Sequence, residues 1–307
     1  MTVFGQSAGG GSILHQITAY GGSRGPAPFQ KAILQSPGFQ PFPGHWEQDD
    51  LLQRYLALLN VSTIQEARQL PFAALSAANI ELVANSPYGT FTFAPAVDGS
   101  FSPSLPGNLL AQGDFDTSVS IITGFNTHET LYFTDPDNTN NSVLISDVST
   151  AFPDVKPSVT DFIAQTLYPP VFNGSYPYMT FFERAELVLA ESAFTCNTFY
   201  LHEAFKSYAP SYGYRFSVPP AYHGEDVPYT YYTGATSSGV NSTIALLMQR
   251  YFTRFALTGN PNKAGDVSIP TYGASAQILD LNVTGFNVIL DPNDNERCRW
   301  WQKSLYY

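Results

Sequence analysis

Short continuous apolar runs alternate along this chain with longer stretches whose apolar residues recur every three or four positions. Thr2 to Phe4, Lys31-Ala32-Ile33-Leu34-Gln35-Ser36 and Ser118-Val119-Ser120-Ile121-Ile122-Thr123-Gly124 are runs of the first kind. They are short, β-branched or bounded by turn residues such as Pro37-Gly38, and they predict buried strands. Tyr214-Arg215-Phe216-Ser217-Val218 alternates apolar and polar positions and ends at Pro219-Pro220, which predicts a fourth strand. The longer stretches, 12–20, 47–59, 63–79, 179–207 and 296–305, read as helices. Ile244, Leu247, Met248, Tyr251 and Phe255 form one apolar stripe at helical spacing, the core face of a helix that Gly259-Asn260-Pro261 stops. Asp98-Gly99 marks a turn, and residues 135–142, rich in Asp, Asn, Thr and Pro, read as an exposed loop. Strands separated by helices predict an α/β fold, a mostly parallel sheet with helices on both faces.

Composition narrows the class. The 307 residues are 44% hydrophobic and only 13% charged, enough apolar material for one large domain over 1–307 and too little charge for a disordered chain. Lys and Arg total 14 against 25 acidic residues, and no basic cluster stands out, so nucleic acid and anionic membranes are excluded as expected partners. No apolar run reaches the length of a membrane span. Five Asn-x-Ser/Thr sequons, at Asn60, Asn140, Asn173, Asn241 and Asn282, suit an exported glycoprotein. Cys196 and Cys298 are the only cysteines and read either as a bridge closing a long loop or as two buried thiols.

The chemistry begins directly after the first strand. Gly5-Gln6-Ser7-Ala8-Gly9 is a Gly-x-Ser-x-Gly pattern between a strand and a helix, the sequence of a nucleophile elbow. Such a turn projects the serine hydroxyl outward, and the following helix aims its first N–H groups at charge developing on a substrate. A serine needs a base within hydrogen-bond reach and an acid to orient that base, in the chain order Ser, Asp/Glu, His. Of the five histidines, His15 and His202 lie on helices and His45 on a Pro/Gly-rich connection. His128 and His223 follow strands, where catalytic residues of α/β sheets collect, and the order favours His223. Glu129 leads the acids because it follows a strand and lies between Ser7 and His223. Asp98 and Asp116 satisfy the same order, although Asp98 is a turn residue and Asp116 precedes its strand. A nucleotide-binding reading of Gly9-Gly10-Gly11 fails for want of a ribose-binding acid at the usual distance. A non-catalytic binding protein of the same fold is the competing reading. No spaced set of His, Cys and Glu reads as a metal site.

Phe4-Gly5-Gln6-Ser7-Ala8-Gly9-Gly10 resembles the elbow of the type-B carboxylesterase/lipase family. Five further segments resemble that family in order: the strand 31–36, Pro95-Ala96-Val97-Asp98-Gly99, Gly124-Phe125-Asn126-Thr127-His128-Glu129, His223-Gly224-Glu225-Asp226-Val227-Pro228-Tyr229, and 252–262. The resemblance implies an α/β-hydrolase fold, with Ser7 as nucleophile, Glu129 as orienting acid, His223 as base and the Ala8 N–H as an oxyanion donor. It implies a Cys196–Cys298 disulfide, a secreted serine esterase acting on small-molecule or lipid esters through an acyl-enzyme, and no metal or organic cofactor. Gln6 stands where many relatives carry glutamate, which argues against cationic choline esters. Thr130 replaces a common glycine, and Asp226 reads as a solvated loop carboxylate. Family members carry further strands and oxyanion donors before the elbow. The expectation is therefore a partial domain, a C-terminal portion that is unstable or nearly inactive alone.

Overall fold

The computed structural model describes residues 1–234 and 239–306. Six strands, β1 (Thr2–Gln6), β2 (Lys31–Gln35), β3 (Ser120–Asn126), β4 (Ser211–Phe216), β5 (Gln277–Asn282) and β6 (Gly285–Leu290), form one sheet in chain order. The first five run parallel and β6 pairs antiparallel with β5. Helices α1 (Ala8–Ile17), α2 (Trp46–Leu58), α3 (Ile64–Ala67), α4 (Phe72–Ala84), α5 (Pro106–Gln112), α6 (Asn141–Ala151), α7 (Pro157–Phe162), α8 (Phe181–Ala190), α9 (Cys196–Phe205), α10 (Val227–Thr230), α11 (Ser242–Thr258) and α12 (Glu296–Gln302) fill the connections.

Neighbouring strand residues point to opposite faces, and each face has its own core. Ala32, Leu34 and Ile121 pack with Ile13 and Leu14 of α1, Phe199 and Leu201 of α9 and Trp301 of α12. Ile33, Ile122, Tyr214 and Phe216 pack on the other side against Ile244, Leu247, Met248, Tyr251 and Phe255 of α11. The stripe read from sequence is thus the inner face of α11, whose end is the left-handed Gly259. Helices cover both faces, as expected.

Several boundaries differ from the sequence pattern for local reasons. The helix expected over 63–79 breaks at Pro71, which caps α4 and cannot continue α3. The helix begins at Ala8 rather than Ser12, immediately beyond Ser7. The segment 179–207 is helical, but a π-helical turn, Glu191–Thr195, joins α8 to α9. Residues 135–142 are not wholly exposed, since Asn138 is buried against Asp147 and Asn140 caps α6. The β5–β6 hairpin and helices α5, α6 and α7 lay outside the pattern altogether.

Cys196 and Cys298 form a disulfide with Cα atoms 5.1 Å apart, stapling the start of α9 to α12. Beside it Glu191, 2% exposed, takes two hydrogen bonds from Arg297, at 2.8 and 2.7 Å. The Tyr168 hydroxyl donates to the same carboxylate and accepts from Trp301 Nε1 at 2.7 Å.

Candidate active site

β1 ends at Gln6 and α1 begins at Ala8, so the chain reverses at one residue. Ser7 takes φ 58° and ψ −124°, a conformation that costs a non-glycine residue energy. Three backbone bonds hold it there: Ser7 N–H donates to Gln35 O at 2.9 Å, and Ser7 O accepts from Gly11 and Gly38 at 2.9 and 3.1 Å. The turn closes only with glycine at position 5, where a Cβ would stand 2.5 Å from the Gly9 carbonyl carbon. Ala8 opens α1, so its N–H is one of the first-turn donors that lack an intrahelical acceptor.

The other two candidates meet beside this turn. Glu129 lies three residues past β3 and is 1% exposed. Its Oε1 accepts the Asn126 N–H at 2.6 Å, and its Oε2 lies 2.5 Å from Nδ1 of His223. His223 follows β4 on a loop tied to the Glu129 loop by His128 N–H donating to Ala221 O at 3.0 Å. Its Nε2 is 3.2 Å from the side-chain amide nitrogen of Gln6, the residue before Ser7. A carboxylate can only accept, so in the neutral imidazole Nδ1 carries the proton and Nε2 presents its lone pair to the amide. Thr130 does not sit at positive φ, and its hydroxyl donates to Glu186 O at 2.7 Å, so the departure from glycine is accommodated.

Ser7 and Ala8 open onto a cavity of about 200 Å³ walled by Phe39, Phe91, Phe93 and Phe194, with no ionisable side chain in its lining. Phe194 comes from the π-helical turn and packs its edge on His223, ring centroids 4.8 Å apart. Its ring occupies the place a side chain on Gly38 would need, at 2.2 Å from such a Cβ. Sequence reasoning did not single out Phe194; a phenylalanine two residues before a disulfide cysteine carries no local signal. Phe91 and Phe93 wall the cavity, whereas the aromatic residues Tyr168 and Tyr178 belong to the core.

The rejected candidates have other partners. His15 is buried with Nδ1 2.9 Å from Gly11 O, and burial lowers its pKa. His202 stacks on Tyr272 at 4.2 Å, and burial pushes its pKa down to about 3. His128 is 3.3 Å from Glu186 and does not reach Glu129. Asp98 accepts two turn N–H groups, from Ser100 and Ser102, which hold its carboxyl below the usual range. Asp116 accepts from Ala27 and Ser118 ahead of β3.

Asp226 is a correction. It is not solvated but fully buried, and it accepts from Gln35, Tyr214 and Asn126. Burial raises its pKa, and the nearby Glu129 charge adds to the rise. Its place directly before Val227-Pro228 was the one sequence cue to an enclosed helix start. Among the described residues no group of three or more His, Cys, Asp or Glu is arranged to hold a metal, and no helix is long and apolar enough to cross a membrane.

A mostly parallel sheet flanked by helices, with a strained strand-to-helix turn at its carboxyl end, defines an α/β-hydrolase fold. The structure matches EstA of Aspergillus niger with a TM-score of 0.81 and 22% identity, over 99% of this chain and 63% of that one. The sequence model of the carboxylesterase family matches residues 1–301, and the chain belongs to that family. It is 43% identical over 307 residues to carboxylesterase patB of Penicillium expansum, covering 99% of this chain and 54% of that protein. A secreted lipase of Arthroderma benhamiae is 27% identical over 328 residues, covering 99% of this chain and 60% of that protein. The chain thus spans about half the length of these curated carboxylesterase relatives.

Proposed function

We propose that the chain hydrolyses carboxylic esters through an acyl-enzyme, with Ser7 as nucleophile, His223 as base and Glu129 as orienting acid. The observation that carries this reading is the short Glu129 Oε2 to His223 Nδ1 contact beside the strained Ser7. The hydrogen bond to Glu129 fixes the proton on Nδ1, which leaves the Nε2 lone pair to receive the Ser7 proton during attack. That is the lone pair the Gln6 amide approaches in this structure. The imidazolium formed is stabilised by the buried Glu129 carboxylate, and it returns its proton to the leaving alkoxide. Water activated by the same nitrogen then releases the acid. The Ala8 N–H, at the positive end of α1, faces the developing oxyanion. The phenylalanine-walled, uncharged cavity suits a neutral, apolar ester, and Gln6 offers no anion to a cationic one. The reading extends to secretion and glycosylation, which suit the Cys196–Cys298 bridge and the exposed asparagines of the sequons at 60, 140, 173 and 241.

The test is fluorophosphonate labelling and p-nitrophenyl ester hydrolysis by this chain and by Ser7→Ala. Labelling and turnover that both vanish in the variant support the reading. A wild-type chain that neither labels nor turns over more than Ser7→Ala removes it.

A further inference from the structure

One buried ionisable group near the site has no part in the acyl-transfer steps. Asp226 lies three residues beyond His223 and is fully buried. Its Oδ2 accepts from Gln35 Nε2 at 2.7 Å and from the Tyr214 hydroxyl at 2.8 Å. Its Oδ1 accepts from Asn126 Nδ2 at 3.3 Å. Gln35 ends β2, Asn126 ends β3 and Tyr214 lies within β4, so one carboxylate ties together three neighbouring strands. Asn126 holds both acids: its backbone N–H donates to Glu129 and its side chain to Asp226. The same side chain reaches Ser36 Oγ at 3.2 Å, and Ser36 is itself at φ 45°.

We infer that Asp226 is a positioning residue: it fastens the His223 loop to β2, β3 and β4 and thereby holds the imidazole against Glu129. The inference rests on the esterase reading above. A well-packed apolar side chain fills buried space at no cost in stability, whereas a buried carboxylate fixes geometry through directed bonds. All three partners are donors, a set that suits an ionised acceptor and leaves the amide of an asparagine facing other donors. Glu129 is the only other carboxylate that the network touches among the described residues, through Asn126. Catalysis is sensitive to such fastening, because a displacement of about 1 Å in a catalytic group costs up to ~10²-fold in rate.

The experiment compares wild type, Asp226→Asn and the swap Gln35→Glu/Asp226→Asn, which returns one carboxylate to the same network from the other side. Asp226→Asn is expected to lower kcat on p-nitrophenyl acetate by about 10- to 100-fold, with KM within about threefold. The swap is expected to recover most of that loss. The low-field Nδ1 proton resonance, assigned to His223 by its absence in His223→Gln, should shift or broaden in Asp226→Asn and return in the swap. An Asp226→Asn protein with wild-type kcat and an unaltered resonance overturns the inference. So does a swap that melts like wild type yet restores neither kcat nor resonance. If the wild-type chain turns over no ester, the resonance alone decides: its response to Asp226→Asn keeps the positioning role while the catalytic reading falls.

Discussion

The loops at the carboxyl ends of β1 to β4 and the brace between α8, α9 and α12 both bury charge and histidine, and they treat them oppositely. In the brace Glu191 meets the Arg297 guanidinium in a two-pronged pair, and His202 meets the face of Tyr272. In the loops Glu129 meets an imidazole, and Asp226 meets only neutral donors. The brace cancels its charge, and burial keeps its histidine neutral. The loops retain uncancelled negative charge next to an imidazole that can accept a proton. Two things therefore separate these histidines: His202 is buried without a carboxylate partner and stays neutral, whereas His223 has the Glu129 carboxylate against Nδ1.

Glu129→Gln breaks the comparison hardest. It leaves the shape but removes the charge and the tautomer control, and kcat on p-nitrophenyl acetate should fall about 10⁴-fold with little change in melting temperature. Arg297→Met attacks the brace instead. It leaves Glu191 buried and unpaired, so urea unfolding should show a loss of about 3–5 kcal/mol, which Glu191→Leu in the same protein should largely return. The buried histidine of the brace can be probed by pH. The pKa of His202 is lowered to about 3 by burial, so the unfolded chain binds its proton first as pH falls below 6.5. Its contribution to stability is full above the unfolded value and declines towards the folded one. Between pH 7 and 5 the wild type should lose about 2 kcal/mol more than His202→Gln in parallel denaturant titrations. Asp98→Ala, which removes the acceptor of the Ser100 and Ser102 N–H groups, should cost about 1 kcal/mol and leave kcat unchanged in ester assays.

What could be read before the structure follows the same division. Ser7, Glu129 and His223 sit in local motifs, because an elbow and a post-strand loop are written in consecutive residues. The strands β2 and β3 were legible as continuous apolar runs, since both their faces are covered, whereas β1, with Phe4 exposed, was legible from the elbow that follows it. β5 and β6 were not: Asp280 interrupts the first to pair with Arg215, and the second buries little of itself. Asp226 was misjudged because burial is decided by Gln35, Asn126 and Tyr214, residues up to 191 positions away. Phe194 and the Glu191–Arg297 pair were invisible for the same reason.

The π-helical turn Glu191–Thr195 sets a phase relation as well as a contact. It holds one residue more than a regular turn would, so everything after it is rotated by roughly 100° relative to what precedes it. Phe194 reaches His223 while Cys196, two residues on, faces Cys298. Deleting any single residue of that turn would restore an ordinary helix and bring only one of the two side chains to its partner. A substitution in this segment would remove one contact at a time, whereas a change of length would put the two ends of the helical stretch out of step.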